Sequence, residues 1–218
     1  MEKFFEKNAL FSGLERNELQ IIARAAQKKV YPKNTIILSE GDTTDSLYMV
    51  CRGKVKVSIV DEYGKEIILA ILGAGEYFGE MTAMAEGAAR SACVMTREPC
   101  ELMVLQKEAF RKIVKNTPDI VFTLLHKSME RLREANKKIE SLALLDVYGR
   151  VARLFTNLAK THEGRQVIDE KLTHQDIASM VGSSREMVSR VMKELSSGGY
   201  ITVTNKTITI NSKLPYSW

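Results

Sequence analysis

The chain has 218 residues and a formal net charge of +5, length enough for two small domains with their own cores and a charge that suits an anionic partner. No apolar run reaches the roughly 18 to 20 residues of a membrane span, and charges interrupt the apolar patches of MEKFFEKNALF, so a cytoplasmic location with no membrane partner is expected. Cys51, Cys93 and Cys100 are odd in number with no C-x-x-C spacing, which argues against a disulfide framework or a zinc or iron–sulfur site and for three reduced structural thiols.

In chain order, a helical stretch through Leu19 to Ala26 precedes a β-rich region from about Lys28 to Gln106. Its segments TIIL, SLYMVCRG, KVKVSIV, EIILAIL, SACVM and ELMVLQ are separated by GD, DEYGK and GAGE turn signals. Many short strands at close spacing predict a sandwich or roll. Within it, Gly75 to Val94 combines glycines, a helix-like start at Glu80 and an Arg90-Ser91 pair. Backbone N–H groups at a helix start and Arg90 suit a phosphate, while Glu80 is left free to accept from sugar hydroxyls. On chemistry alone a structural glycine-rich turn explains the same residues.

After Pro118 a long helix is predicted to about Leu145. Val121, Leu125, Ser128, Leu132, Ala135, Ile139 and Leu142 follow alternating steps of four and three, the seam of a two-stranded coiled coil, with charged residues on the other faces. The stripe fits either a second copy in a parallel homodimer or the chain's own β-roll, and the helix's length favours the homodimer. Asp146 is the expected N-cap of a new amphipathic stretch carrying Val151, Leu154, Phe155 and Leu158, which places a hinge there.

His174 to Lys193 has the pattern of a helix-turn-helix. Thr173 with Asp176, and Ser183 with Glu186, read as two capping boxes around one turn. Gly182 supplies the turn, small Ala178 permits close crossing, and Ile177, Val181, Val188, Val191 and Leu195 form the facing apolar surfaces. Arg185, Glu186, Ser189 and Arg190 remain outward near the start of the second helix, where base edges are reached in a major groove. Arginine donates twice to guanine and glutamate accepts from cytosine, so the trio suits G and C steps. ITVTNKTITI then reads as a β-hairpin wing, with Thr204, Asn205 and Lys206 at a tip suited to phosphate.

These segments together resemble the cyclic AMP receptor (catabolite activator) family over nearly the full length. The resemblance is carried by FGEMTAMAEGAARSA, by LALLDVYGRVARLFTNLAK, by VGSSREMVSRVMKEL, and by Asn205-Lys206-Thr207 in place of the family's GKT. It implies an α+β fold with a cyclic-nucleotide-binding β-roll (jelly roll, 1–118), a dimerisation helix (119–145) and a winged helix-turn-helix (146–218). It further implies a non-enzymatic transcription regulator with cAMP as allosteric ligand and double-stranded DNA and RNA polymerase as partners. The resemblance also implies that Gly79 and Glu80 meet the ribose and phosphate edge, Glu80 accepting from the 2'-hydroxyl, that Arg90 and Ser91 bind the cyclic phosphate, and that Arg185, Glu186 and Arg190 read a TGTGA-type half-site of a palindrome.

The ligand set expected is Gly79, Glu80, Met81, Arg90, Ser91, Ala135 and Asn136. The DNA set expected is Thr173, Gln175, Ser184, Arg185, Glu186, Ser189, Arg190 and Lys206, with no catalytic or metal-ligating residue. Ala135 and Asn136 depart from the family's threonine and serine, and alanine cannot bond the adenine amino group. A same-fold regulator answering to cyclic GMP or cyclic di-GMP, or needing no ligand, is therefore the alternative. A phosphodiester-cleaving enzyme and a module that binds protein alone are the remaining alternatives. The first lacks a metal cluster and a nucleophile paired with a base. In the favoured reading, ligand at the seam biases the paired helices, and the hinge around Leu145 to Tyr148 sets two recognition helices about 34 Å apart, one DNA turn, a spacing the resemblance to the family implies.

Overall fold

Alternation along two strands organises the N-terminal unit. The computed structural model describes residues 2–8, 10–11 and 14–215, which divide into two compact units, Met1–Gly64 with Ile68–Arg131 and Leu132–Trp218 with Lys65–Ile67. In the first, β3 (Leu47–Arg52) and β8 (Cys100–Leu105) pair antiparallel. Leu47, Met49, Met103 and Leu105 point to one face and join a core with Phe5, Ile22 and Phe110, while Tyr48, Val50, Leu102 and Val104 point to the other and meet Leu38, Val55 and Val94. A period of two thus buries one sheet on both faces.

That sheet has the order β1-β8-β3-β6, with β1 at Gln27–Tyr31 and β6 at Tyr77–Phe78. Opposite it lies β2-β7-β4-β5, from β2 (Ile36–Leu38), β4 (Val55–Val60), β5 (Glu66–Leu72) and β7 (Cys93–Thr96). The two sheets form the predicted roll. Helices α1 (Glu2–Lys7) and α2 (Arg16–Ala25) precede it, α3 (Glu80–Met84) follows β6, and α4 (Lys107–Asn116) follows β8. Helix α4 was not predicted, because five charges in ten residues hide the spacing of its two core side chains, Phe110 and Ile113.

The long helix is α5, Asp119–Leu144, and it belongs to both units. In the first unit it packs through Ile120 and Leu124, which are buried, whereas Val121, Leu125 and Ser128 of the seam are exposed. The face turned to the roll is therefore the one beside the predicted stripe. In the second unit Leu132, Ala135, Ile139 and Leu142 are exposed as well.

The second unit continues with α6 (Val147–Leu158), whose N-cap Asp146 accepts from the Gly149 N–H at 2.8 Å, as predicted. Arg153 on α6 reaches back to Glu140 at 3.0 Å and Ser141 at 3.1 Å, bracing the corner. Then come β9 (Lys160–His162), β10 (Arg165–Ile168), α7 (His174–Val181), α8 (Arg185–Ser197), β11 (Ile201–Thr204) and β12 (Thr207–Ile210). Asn205 and Lys206 both have positive φ, 50° and 67°, the two-residue turn that matches strand twist in a hairpin. The predicted wing is larger than expected: its sheet runs β11-β12-β10-β9, so Lys160–His162 and Arg165–Ile168 supply a second hairpin.

Candidate nucleotide and DNA sites

Between β6 and β7 the chain builds the predicted cassette. Gly79 sits at φ 82° and starts α3; a Cβ there would fall 2.7 Å from Arg90 Nη1 and 2.8 Å from the Ser46 carbonyl. Glycine is thus required both for the backbone angle and for the room it leaves. Arg90 is buried at 4% exposure. Its Nε donates to Thr44 at 3.1 Å, Nη1 to the Gly79 carbonyl at 3.0 Å and to Thr82, and Nη2 to the Ser46 carbonyl at 2.8 Å.

Four of the five guanidinium N–H groups are thereby matched within the protein, leaving one on Nη2. The Arg90 backbone is fixed too, its N–H on the Asp42 carbonyl and its carbonyl on the Gly41 N–H, both at 2.8 Å. Burial pulls the guanidinium pKa down, opposed by Tyr48, Asp45, Glu80 and Asp42. Ser91 and Met81 are exposed, and the Ser91 hydroxyl lies 3.5 Å from the Met81 sulfur.

Glu80 has a partner that the sequence did not suggest: Arg131 of α5 holds its Oε1 at 2.7 Å while donating from Nη2 to the Tyr77 carbonyl at 2.6 Å, so the carboxylate is shared and its other lone pairs remain to accept. The same guanidinium stands 5.0 Å from the Tyr77 ring centroid, and burial pushes the Tyr77 hydroxyl up to about 12. Arg131 is one of the charged residues lying off the predicted seam of the long helix. Its spacing carried the signal: Ile120, Leu124, Lys127 and Arg131 step by four, three and four along the face turned to the roll. Ala135 and Asn136 are exposed residues of α5 in the other unit.

The helix-turn-helix forms with Ile177, Val181, Val188, Val191 and Leu195 all buried between its helices and Ala178 at 0% exposure. Thr173 caps α7 in the predicted box, accepting from Asp176 N while Asp176 accepts from Thr173 N. The second cap is one residue later than predicted. Ser184, not Ser183, caps α8 and accepts from the Met187 N–H at 3.2 Å, so Glu186 closes no box. The cause is the way α7 ends. Gly182, at φ 64°, and Ser183 both donate to the Ala178 carbonyl, which keeps Ser183 in the turn.

Arg185, Glu186 and Arg190 project from the first turns of α8, exposed and without a side-chain hydrogen bond or ion pair among the described residues. Gln175 lies beside Ser179 at 3.4 Å, and Lys206 is exposed at the wing tip. Ser189 differs from the trio. It is half-buried, and its hydroxyl lies 2.8 Å from His174 Nδ1, a contact between the two helices that sequence reading missed.

A β-roll holding a hydrogen-bonded glycine–glutamate–arginine cassette, and a winged helix-turn-helix with an unpaired charged face, define a ligand-binding transcription regulator. Residues 28–117 match the cyclic nucleotide-binding domain, and residues 149–213 match the Crp-like helix-turn-helix domain. The chain is 38% identical over 186 residues to the cAMP-activated global transcriptional regulator CRP of Pasteurella multocida, covering 83% of this chain and 88% of that one. It is 36% identical over 200 residues to the cAMP-activated global transcriptional regulator Vfr of Pseudomonas aeruginosa, covering 88% and 92%. In structure it resembles the c-di-GMP responsive global regulator CLP of Xanthomonas campestris, with a TM-score of 0.79 at 27% identity over 91% of this chain and 100% of the other. The chain belongs to the CRP/FNR family of transcription regulators. Members of that family bind DNA and are not enzymes.

Proposed function

We propose that this chain is a cAMP-responsive homodimeric regulator that binds a TGTGA-type palindrome. The observation that carries the reading is the exposed, unpaired trio Arg185, Glu186 and Arg190 at the start of a capped helix in a winged unit. Cations with no protein partner cost nothing to release toward phosphates and guanine edges, and glutamate against DNA is favourable only where it accepts from a base. Thr173, Gln175, Ser184 and Lys206 would hold phosphates, and Ser189 would lie at the base-reading edge. For the ligand, Arg90 and Ser91 are proposed for the cyclic phosphate, the Arg90 contribution being the one guanidinium N–H not already matched. Gly79, Glu80 and Met81 are proposed for the sugar side, where the ribose hydroxyl would share Glu80 with Arg131.

The exposed seam on α5 is proposed as the homodimer contact, since its Leu125, Leu132 and Ile139, with Phe122 and Met129 beside it, are all at least half exposed. The working division is then a β-roll (1–118), a dimerisation helix (119–145) and a DNA-reading domain (146–218), in a cytoplasmic protein that contacts RNA polymerase. Two cAMP-activated relatives support cAMP. A second reading, cyclic di-GMP or another nucleotide, is favoured by Ala135 and Asn136 standing where the family pattern has threonine and serine, and by the likeness to a c-di-GMP responsive regulator. Titration calorimetry with cAMP, cyclic GMP and cyclic di-GMP, followed by gel shifts on the palindrome and a scrambled duplex at fixed salt, tests both. Binding of cAMP and a cAMP-dependent preference for the palindrome are expected; a response to cyclic di-GMP alone selects the second reading, and equal affinity for both duplexes overturns each.

A further inference from the structure

We infer that His174 is a positioning residue for Ser189 and that it makes DNA recognition by this chain proton-linked, an inference that rests on the DNA-reading function proposed above. His174 is the first residue of α7 and Ser189 the fifth of α8, and their side chains meet at 2.8 Å across the motif. The ring is exposed, so it exchanges protons with solvent, and Ser189 shares its helix with the unpaired Arg185, Glu186 and Arg190.

The chemistry follows from which atom carries the hydrogen. In a neutral imidazole protonated on Nε2, Nδ1 accepts the Ser189 hydroxyl, and the serine oxygen then offers only lone pairs outward. In the imidazolium both ring nitrogens donate. Nδ1–H now points at Ser189 Oγ, the serine hydrogen is released to donate to a base acceptor or a phosphate oxygen, and Nε2–H becomes a charged donor. From the Nε2–H tautomer, one proton therefore reverses the polarity of Ser189 and adds a cation to the DNA face.

The charged residues of the two helices are Asp176 on α7 and Arg185, Glu186, Arg190, Lys193 and Glu194 on α8, and from α6 Arg150 approaches only the far end of α7, its guanidinium 3.4 Å from the Gly182 carbonyl. A DNA backbone laid against this face adds negative charge and tilts the balance to imidazolium. The bound state then holds more protons than the free state, so affinity is highest below the free ring's pKa, falls as pH rises from there to the pKa of the complex, and is level above it.

The test is fluorescence anisotropy of a duplex carrying the TGTGA palindrome and of a scrambled duplex, at constant ionic strength and saturating cAMP, from about pH 5.5 to about pH 8. NMR titration of the His174 ring with and without the palindrome accompanies it. The expected result for the unaltered chain is affinity falling with pH, up to about tenfold per unit for each proton taken up. His174→Asn, whose amide can occupy the Nδ1 position without titrating, should flatten that slope, and the ring pKa should rise on binding DNA. Ser189→Ala should keep part of the slope but lose any pH-dependent change in base preference. An equal slope in the unaltered chain and H174N, or a ring pKa indifferent to DNA, overturns the inference and leaves His174 a packing contact. Absence of binding to either duplex at every pH, with saturating cAMP and with saturating cyclic di-GMP alike, overturns the regulator reading itself, and this link with it.

Discussion

The two sites use the same residue types in opposite ways. In the cassette, Arg90 is buried with four donors on protein acceptors, and Glu80 is held by Arg131. On α8, Arg185, Glu186 and Arg190 are exposed and have no partner among the described residues. The contrast follows from what each surface meets. A small ligand is recognised by a pocket whose shape exists beforehand, and buried charges hold that shape only if their own hydrogen bonds are satisfied. DNA brings its own dense charge, so cations left in water are available to it with nothing to break first. Substitutions in the cassette should therefore change stability and ligand response together, whereas substitutions on the recognition helix should change binding alone.

The sharpest break comes from Arg90→Leu. It strips hydrogen bonds from two carbonyls and two hydroxyls around the cassette, and the N-terminal unit should lose roughly 3 kcal/mol, read as a lower midpoint in urea. Nucleotide-dependent DNA binding should vanish while salt-dependent affinity for any duplex persists. An unchanged midpoint would mean that the cassette is not built around this side chain. Arg185→Ala should do the reverse: lost discrimination at one guanine of the half-site, about 1 to 3 kcal/mol in a competition assay, with stability altered by less than about 0.5 kcal/mol. Equal loss on every sequence would mark Arg185 as a phosphate contact.

How far sequence reached depended on how local the cause was. The N-cap at Asp146, the box of Thr173 and Asp176, the Asn205-Lys206 turn and the strand run from 28 to 106 are each written within a few neighbouring residues, and all are present. Glu80 and Arg131 lie 51 positions apart, and His174 and Ser189 lie 15 apart; periodicity places such residues on faces without saying which faces meet. The β9–β10 hairpin escaped for another reason. Its segments are short and mostly exposed, so no apolar alternation announces them, and only pairing with β12 gives them a place.

The Glu80–Arg131 pair tests the middle of the comparison, since it is neither fully buried nor free, with side chains 15% and 31% exposed. A double-mutant cycle with Glu80→Gln and Arg131→Gln should give a coupling of about 1 kcal/mol in urea unfolding, between an exposed pair and a buried one. No coupling in stability alongside a loss of ligand affinity would assign the carboxylate to the ligand alone.

The smallest effect concerns a single hydroxyl. Two serines stand side by side in the turn, but only Ser184 accepts from a backbone N–H of α8, that of Met187, while Ser183 contributes its own N–H to the end of α7. Alanine at 184 leaves an orphan donor at the helix start, and the winged unit should lose about 1 kcal/mol; alanine at 183 keeps the backbone bond and should cost a few tenths at most. Because Arg185 and Glu186 occupy the first turn that this cap fixes, S184A should also loosen sequence preference slightly, whereas S183A should not. Reversed ranking in thermal or urea unfolding would move the start of α8 back by one residue, turning the charged trio by about 100° about the helix axis and away from the face described here.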